Sequence, residues 1–117
     1  MTDQILTVTV QAGPPTVTVL VAVGELDHDS RRILHRRAGE VLDTGGIRLV
    51  IDLTGVTFCD SGGLSLFVEL QRRAEAAGGW TRLAGAQGMV LSVLKATNLD
   101  RMFVLYDTVA AATTDLT

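Results

Sequence analysis

The chain has 117 residues, of which 47% are hydrophobic and 20% charged, with a net charge of -3. That is enough apolar material for one buried core and too little length for two ordinary domains, and it does not suggest intrinsic disorder. The negative balance leaves no basic surplus for phosphates, no aromatic lies in a basic stretch, and no apolar run approaches the roughly 20 residues that cross a bilayer, so neither nucleic acid nor membrane is an expected partner.

Taken in chain order, the opening MTDQILTVTVQ has neither a positive region nor a long apolar core, which predicts no signal peptide. Within it ILTVTV (Ile5–Val10) alternates apolar residues with threonine, the period of a half-buried strand. GPP at Gly13–Pro15 breaks the pattern, and TVTVLVAV (Thr16–Val23) reads as a second strand joined to the first in an antiparallel hairpin. GELDHDS (Gly24–Ser30) reads as a polar loop in which Asp29 or Ser30 can cap a helix. In that helix Ile33, Leu34, Ala38, Val41 and Leu42 form one stripe. Arg31, Arg32, Arg36, Arg37 and Glu40 occupy the other face, either as an anion site or, the preferred reading, as an ordinary solvated surface. Thr44–Gly46 stops the helix.

IRLVIDL (Ile47–Leu53) is rich in branched apolar residues and predicts a central strand, followed by a short loop, TGVTFC. A helix with Leu64, Phe67 and Val68 toward the core then runs to Gly78 and Gly79; Leu66 and Leu70 add a second apolar line, either extra core or a docking surface. WTRLAG (Trp80–Gly85) is a fourth strand, and AQGMVLSVLKATN (Ala86–Asn98) a third helix with Met89, Val90, Val93 and Leu94 inward. Leu99 and Met102 are also assigned to the core, MFVLY (Met102–Tyr106) to a short last strand, and DTVAAATTDL to a final helical turn or two. The order β-β-α-β-α-β-α-β-α predicts a single α/β domain over residues 1–117, with a mixed sheet of four to five strands opened by a hairpin and helices mainly on one face.

The stretch VTFCDSGGLSLF (Val56–Phe67) places Asp60, Ser61, Gly62 and Gly63 where a strand hands over to a helix, the usual place for functional groups in α/β sheets. Free N–H groups and the helix dipole favour a phosphate there. A seryl phosphate at Ser61 would set about two negative charges beside Asp60 and change what can dock. Gly62 and Gly63 each disfavour helix by up to about 1 kcal/mol relative to alanine, and are expected to clear access to the Ser61 hydroxyl. The competing reading is a plain helix cap made by Asp60 or Ser61. The single cysteine, Cys59, excludes a disulfide framework, fits a reducing, cytoplasmic compartment, and is expected to pack at the strand end.

Two segments, GELDHDS and VIDLTGVTFCDSGGLSLF (Val50–Phe67), give the sequence its resemblance to the STAS domain family, specifically the bacterial anti-sigma factor antagonists. The family has a G-E-L-D loop after the second strand, then a strand, a D-S-S/T-G-L turn and a helix. The resemblance implies a non-enzymatic phosphoprotein switch in transcription regulation. The unphosphorylated form binds an anti-sigma factor serine kinase and releases the sigma factor; phosphorylation at the serine matching Ser61 ends that binding, and a serine phosphatase restores it. It also implies partner contacts by Asp27, Asp60, Ser61, Gly62, Gly63 and Leu64, no cofactor of the domain's own, and ATP with Mg²⁺ held by the kinase. Gly62 departs from the family's second hydroxyl, which keeps open a STAS scaffold or sensory module that is never phosphorylated.

A serine hydrolase is the enzymatic alternative, since CDSGG is similar to the GDSGG of chymotrypsin-like proteases. Those enzymes need two β-barrels and a longer chain, and His28 or His35 would have to reach Ser61 with an orienting acid. Glu25, Asp27, His28, Asp29 and His35 crowd one region but lack a recognised metal-ligand spacing, and no nucleotide-binding glycine loop occurs.

Overall fold

Leu6, Val8 and Val10 alternate with exposed Thr7 and Thr9, and that period sets the first strand with one face toward the core. The computed structural model describes residues 6–13 and 16–116, so Ile5, Pro14 and Pro15 lie outside the described residues. Its strands are β1 (Leu6–Ala12), β2 (Val17–Leu26), β3 (Arg48–Cys59), β4 (Trp80–Ala84) and β5 (Leu105–Tyr106). Its helices are α1 (Arg31–Asp43), α2 (Ser61–Ala76), α3 (Gly88–Ala96) and α4 (Val109–Ala112), with 3-10 turns at Leu99–Arg101 and Thr114–Leu116. The strands stand in the order β1-β2-β3-β4-β5. β1 runs antiparallel to β2, and every later neighbour is parallel, so each parallel step needs a helical crossover.

Three crossover helices cover one face. Leu20, Ala22, Leu49, Ile51 and Leu53 of the sheet meet Leu34 and Ala38 of α1, Leu66, Phe67 and Leu70 of α2, and Val90 and Leu94 of α3. On the opposite face Val17, Val19, Val50 and Ala84 pack under Val109 and Ala112 of α4. Arg82 fastens that cover: its guanidinium donates to both Asp115 carboxylate oxygens at 2.8 and 3.0 Å and to the Ala112 carbonyl at 2.8 Å, and lies 3.9 Å from the Trp80 ring centroid. The mixed sheet, the hairpin and the placing of helices mainly on one face agree with the α/β domain read from the sequence.

Several boundaries differ. β2 runs on through Gly24–Leu26 and β3 through TGVTFC, both read from sequence as loop. Glycine within TGVTFC signals a turn, yet Gly55 sits inside the strand because a Cβ there would stand 3.0 Å from Val23 Cγ2. Bulges between Val21 and Val23 and between Gly24 and Glu25 let the two strands stay paired as far as Leu26 and Cys59. Leu66 and Leu70 are fully buried and belong to the core, and Leu99 is buried as expected. Met89 and Met102, assigned to the core, are instead 41% and 47% exposed. Met89 is the second residue of a short helix whose core stripe starts at Val90, and Met102 follows a 3-10 turn that carries it outward. That turn also shortens the last strand to two residues.

Candidate functional site

Asp60 joins the site together. It is the extended residue before α2, and its Oδ1 accepts from the N–H groups of Gly62 at 2.9 Å and Gly63 at 3.2 Å. Two of the helix's unpaired donors are satisfied in this way. Its Oδ2 reaches across to the β2–α1 loop and accepts from the His28 N–H at 3.0 Å, while its own N–H donates to the Leu26 carbonyl at 3.2 Å. One carboxylate therefore ties the start of α2 to the loop that carries the GELD motif.

That loop is closed on itself. Asp27 Oδ1 accepts from the N–H groups of Asp29 at 3.0 Å and Ser30 at 2.7 Å. Ser30 Oγ accepts from the Asp27 N–H at 2.9 Å and donates to the Glu25 carbonyl at 2.7 Å. The Ser30 backbone N–H, foremost among these donors, holds the Asp27 carboxyl below the usual carboxylate range. Ser30 thus occupies the cap position of α1 without a capping side chain; its hydroxyl is spent on the loop and is buried. His35 Nε2 lies 2.9 Å from Glu69 Oε2, linking α1 to α2.

Ser61 is the first residue of α2 and is exposed, and its hydroxyl makes no hydrogen bond among the described residues. Asp27 and Asp60 are half-buried, whereas Gly62, Gly63 and Leu64, expected on the partner surface, are buried within the domain. The reason given for the two glycines needs correction. A Cβ at residue 62 would stand 2.8 Å from His28 Cα, and one at residue 63 would meet Cys59 Sγ at 2.8 Å, Leu26 Cγ at 2.8 Å and the Leu26 carbonyl oxygen at 2.9 Å. The glycines let the first turn of α2 settle under the β2–α1 loop; they serve close packing rather than access. The same contact explains why no hydroxyl residue stands at position 62. Of the helix N–H groups offered to a phosphate, those of Gly62 and Gly63 are already held by the Asp60 carboxylate. Neither point was visible in the sequence, where only the glycine pair itself hints at a close approach.

Cys59 is buried against the helix start, and burial, with the Asp60 charge second, pushes its thiol up to about 12. Such a group is a structural thiol and no redox sensor. The hydrolase reading also loses its footing. The sheet is a mixed α/β sheet, Asp60 is committed to backbone donors, and the His35 ring is engaged by Glu69. Among the described residues no group of three or more His, Cys, Asp or Glu is placed to hold a metal ion, and no helix is long and apolar enough to cross a membrane.

A hairpin-opened mixed sheet with crossover helices on one face, and an exposed serine where the central strand passes into α2, define a small α/β domain. The chain belongs to the STAS domain family, whose pattern matches residues 8–112. A Thermotoga maritima protein, named as a candidate anti-sigma factor antagonist, is 29% identical over 97 residues, covering 82% of this chain and 86% of its own. The crystal structure of an anti-sigma factor antagonist from Mycobacterium paratuberculosis superposes with a TM-score of 0.84 at 29% identity, over 94% of this chain and 92% of that one. The phosphorylated form of the Bacillus cell-fate determinant SpoIIAA gives a TM-score of 0.73 at 20% identity, over 95% of this chain and 100% of that one, a likeness of fold.

Proposed function

We propose that this domain is an anti-sigma factor antagonist whose unmodified Ser61 surface binds an anti-sigma factor serine kinase, and that phosphorylation of Ser61 ends the complex. The observation that carries the reading is the Ser61 hydroxyl, exposed and unpaired at the first position of α2. The names of relatives 29% identical to this chain point the same way. In the proposed step the Ser61 oxygen bonds to the γ-phosphorus of ATP, the bond to the ADP oxygen breaks, and the hydroxyl proton passes to a base of the kinase, which also holds ATP and Mg²⁺. A phosphatase reverses the state by hydrolysis. Asp27 and Asp60 are the proposed partner-contacting carboxylates.

The electrostatics support a sharp change of state. A seryl phosphate carries about two negative charges, and here the helix donors of Gly62 and Gly63 are already taken by the Asp60 carboxylate. The added group therefore meets repulsion at once. It either stands away from the helix or displaces Asp60 from the His28 N–H, and in the second case the charge is felt in the β2–α1 loop. Incubation with ATP and anti-sigma factor kinases of the same genome, read by mass spectrometry, should add one phosphoryl group at Ser61. Ser61→Ala should bind the kinase and resist modification, and Ser61→Asp should bind poorly. Equal binding by the two variants sinks the reading, and binding without any phosphoryl transfer assigns the domain to the unphosphorylated scaffolds.

A further inference from the structure

The two edges of the sheet are guarded differently. β5 closes one side with two residues, too short a strand to recruit another. β1 closes the other with seven, LTVTVQA, and among the described residues it pairs with β2 alone. It carries none of the devices that blunt an edge: no proline, no bulge in its register with β2, and no charge. Indeed no charged residue occurs from Gln4 to Gly24. The Gly13 N–H donates to the Val17 carbonyl at 3.0 Å, which fixes the phase of the ladder. Gln11, Thr9 and Thr7 therefore bond to β2, and Leu6, Val8, Val10 and Ala12 turn their N–H and C=O groups outward.

Helix α1 leaves apolar side chains along the same edge. His35 and Gly39 face α2, near Glu69 and Arg73, so Ile33, Arg37 and Val41, about 200° round the helix, stand on the opposite flank. Ile33, Val41, Val8 and Val10 are all only half-buried against the core, and a hollow of about 590 Å³ stays open beside Val10 and Val41. The charge on that flank, Arg37, is already paired with Glu40 at 3.1 Å.

We infer that this edge is the interface of a twofold dimer, occupied by β1 of a second copy of the chain. An antiparallel pair centred on Thr9 sets Val8 against the partner's Val10 and Leu6 against the partner's Ala12, so every outward residue of each copy is matched. That makes about eight backbone hydrogen bonds, one N–H donated by each outward residue. An uncharged strand has nothing with which to select a charged partner, but it meets its own copy without like-charge repulsion. The twofold axis stands perpendicular to the sheet and keeps the crossover helices of both copies on one face. Since α1 packs over β1 and β2, the two α1 helices come about 10 Å apart, two strand spacings and the ordinary distance between packed helices. Ile33 and Val41 are then covered. The assembly closes at two copies, because pairing consumes both β1 edges and leaves only the two-residue β5 edges. Ser61 follows β3, two strands in from this edge, so the dimer presents two separate Ser61 surfaces, and the inference is independent of the antagonist reading.

Sedimentation equilibrium of the full chain at about 100 µM should give twice the monomer mass of 12.4 kDa. Thr9 is exposed and lies opposite its own copy at the axis, with Cα atoms about 4.5 Å apart. Thr9→Lys should therefore raise the dimer Kd at least about tenfold, and Thr9→Glu likewise. An equimolar mixture of the two variants should restore dimers as mixed pairs. Ala76→Lys, the same charge change at an exposed site on α2, should leave the Kd within about twofold of wild type. Amide hydrogen exchange reads the register: the Val8 and Val10 N–H groups should gain protection as wild-type concentration rises and lack it in Thr9→Lys, with circular dichroism as the fold check. Their concentration dependence in the wild type decides the matter even if a charged variant fails to fold. Wild-type protein that stays monomeric at about 1 mM overturns the proposal. So does a dimer that folded Thr9→Lys leaves intact, or one in which the Val8 and Val10 amides exchange as they do in the monomer.

Discussion

Replacing Asp60 by alanine removes three acceptor contacts at once, those to the N–H groups of Gly62, Gly63 and His28. Loss of the cap alone costs about 1 kcal/mol. Loss of the charge-assisted bond to His28, partly exposed, adds about 1–2 kcal/mol. The total of about 2–3 kcal/mol corresponds to a fall in Tm on the order of 10 °C for a domain of this size. Asp60→Asn keeps one oxygen for the helix donors but turns an NH₂ toward the His28 N–H, so it should cost about 1 kcal/mol. Urea denaturation gives the order wild type, Asn, Ala, and amide hydrogen exchange locates the loss: His28, Gly62 and Gly63 should exchange faster in Asp60→Ala. Equal stability of the two variants, or unchanged protection of the His28 amide, refutes the idea that this carboxylate joins loop and helix.

Gly62→Ser, which restores the hydroxyl usual in the family, should destabilise by about 1–3 kcal/mol because its Cβ presses on His28 Cα, an overpacking cost larger than the gain in helix propensity; a higher urea midpoint would contradict this. Gly63→Ala should cost at least as much, since its Cβ meets Cys59, Leu26 Cγ and the Leu26 carbonyl together. Native Cys59 should resist iodoacetamide at pH 8 and react once the protein is unfolded in urea. Because its folded pKa is raised from 9.0 to about 12, the stability from the neutral buried thiol is complete below pH 9 and lost as the pH rises toward 12, a decline that Cys59→Ala should lack. Arg82→Ala should free the α4 segment and alter the fluorescence of Trp80, the chain's sole tryptophan, which a buried, unaffected α4 would not do.

Alternating threonines, branched runs and glycine stops made the order of elements, the opening hairpin and the three crossovers legible, because each reflects a local period that the backbone obeys. The extensions of β2 and β3 were not legible. They depend on bulges and on Gly55 lying against Val23, contacts between residues far apart in sequence. At the site, the acid, the serine and their place at a helix start could be read from DSGG. The partners of Asp60 could not, since the His28 N–H is 32 residues away. Ser30 shows the limit of local capping rules: a good cap by type, it is drawn off by the carbonyl of Glu25. Met89 obeyed helical spacing and still faces outward, because the buried stripe of α3 runs through Val90 and Leu94, one position further round the helix.

The seating of His28 over Gly62 also constrains how this lineage can change. A side chain added at residue 62 strains the loop at His28, so a descendant that gains a hydroxyl beside the serine has to lift the loop first, by altering residues 27–30, or accept a weaker domain during the interval. Drift at these positions is then coupled, and the order of substitutions matters as much as their identity.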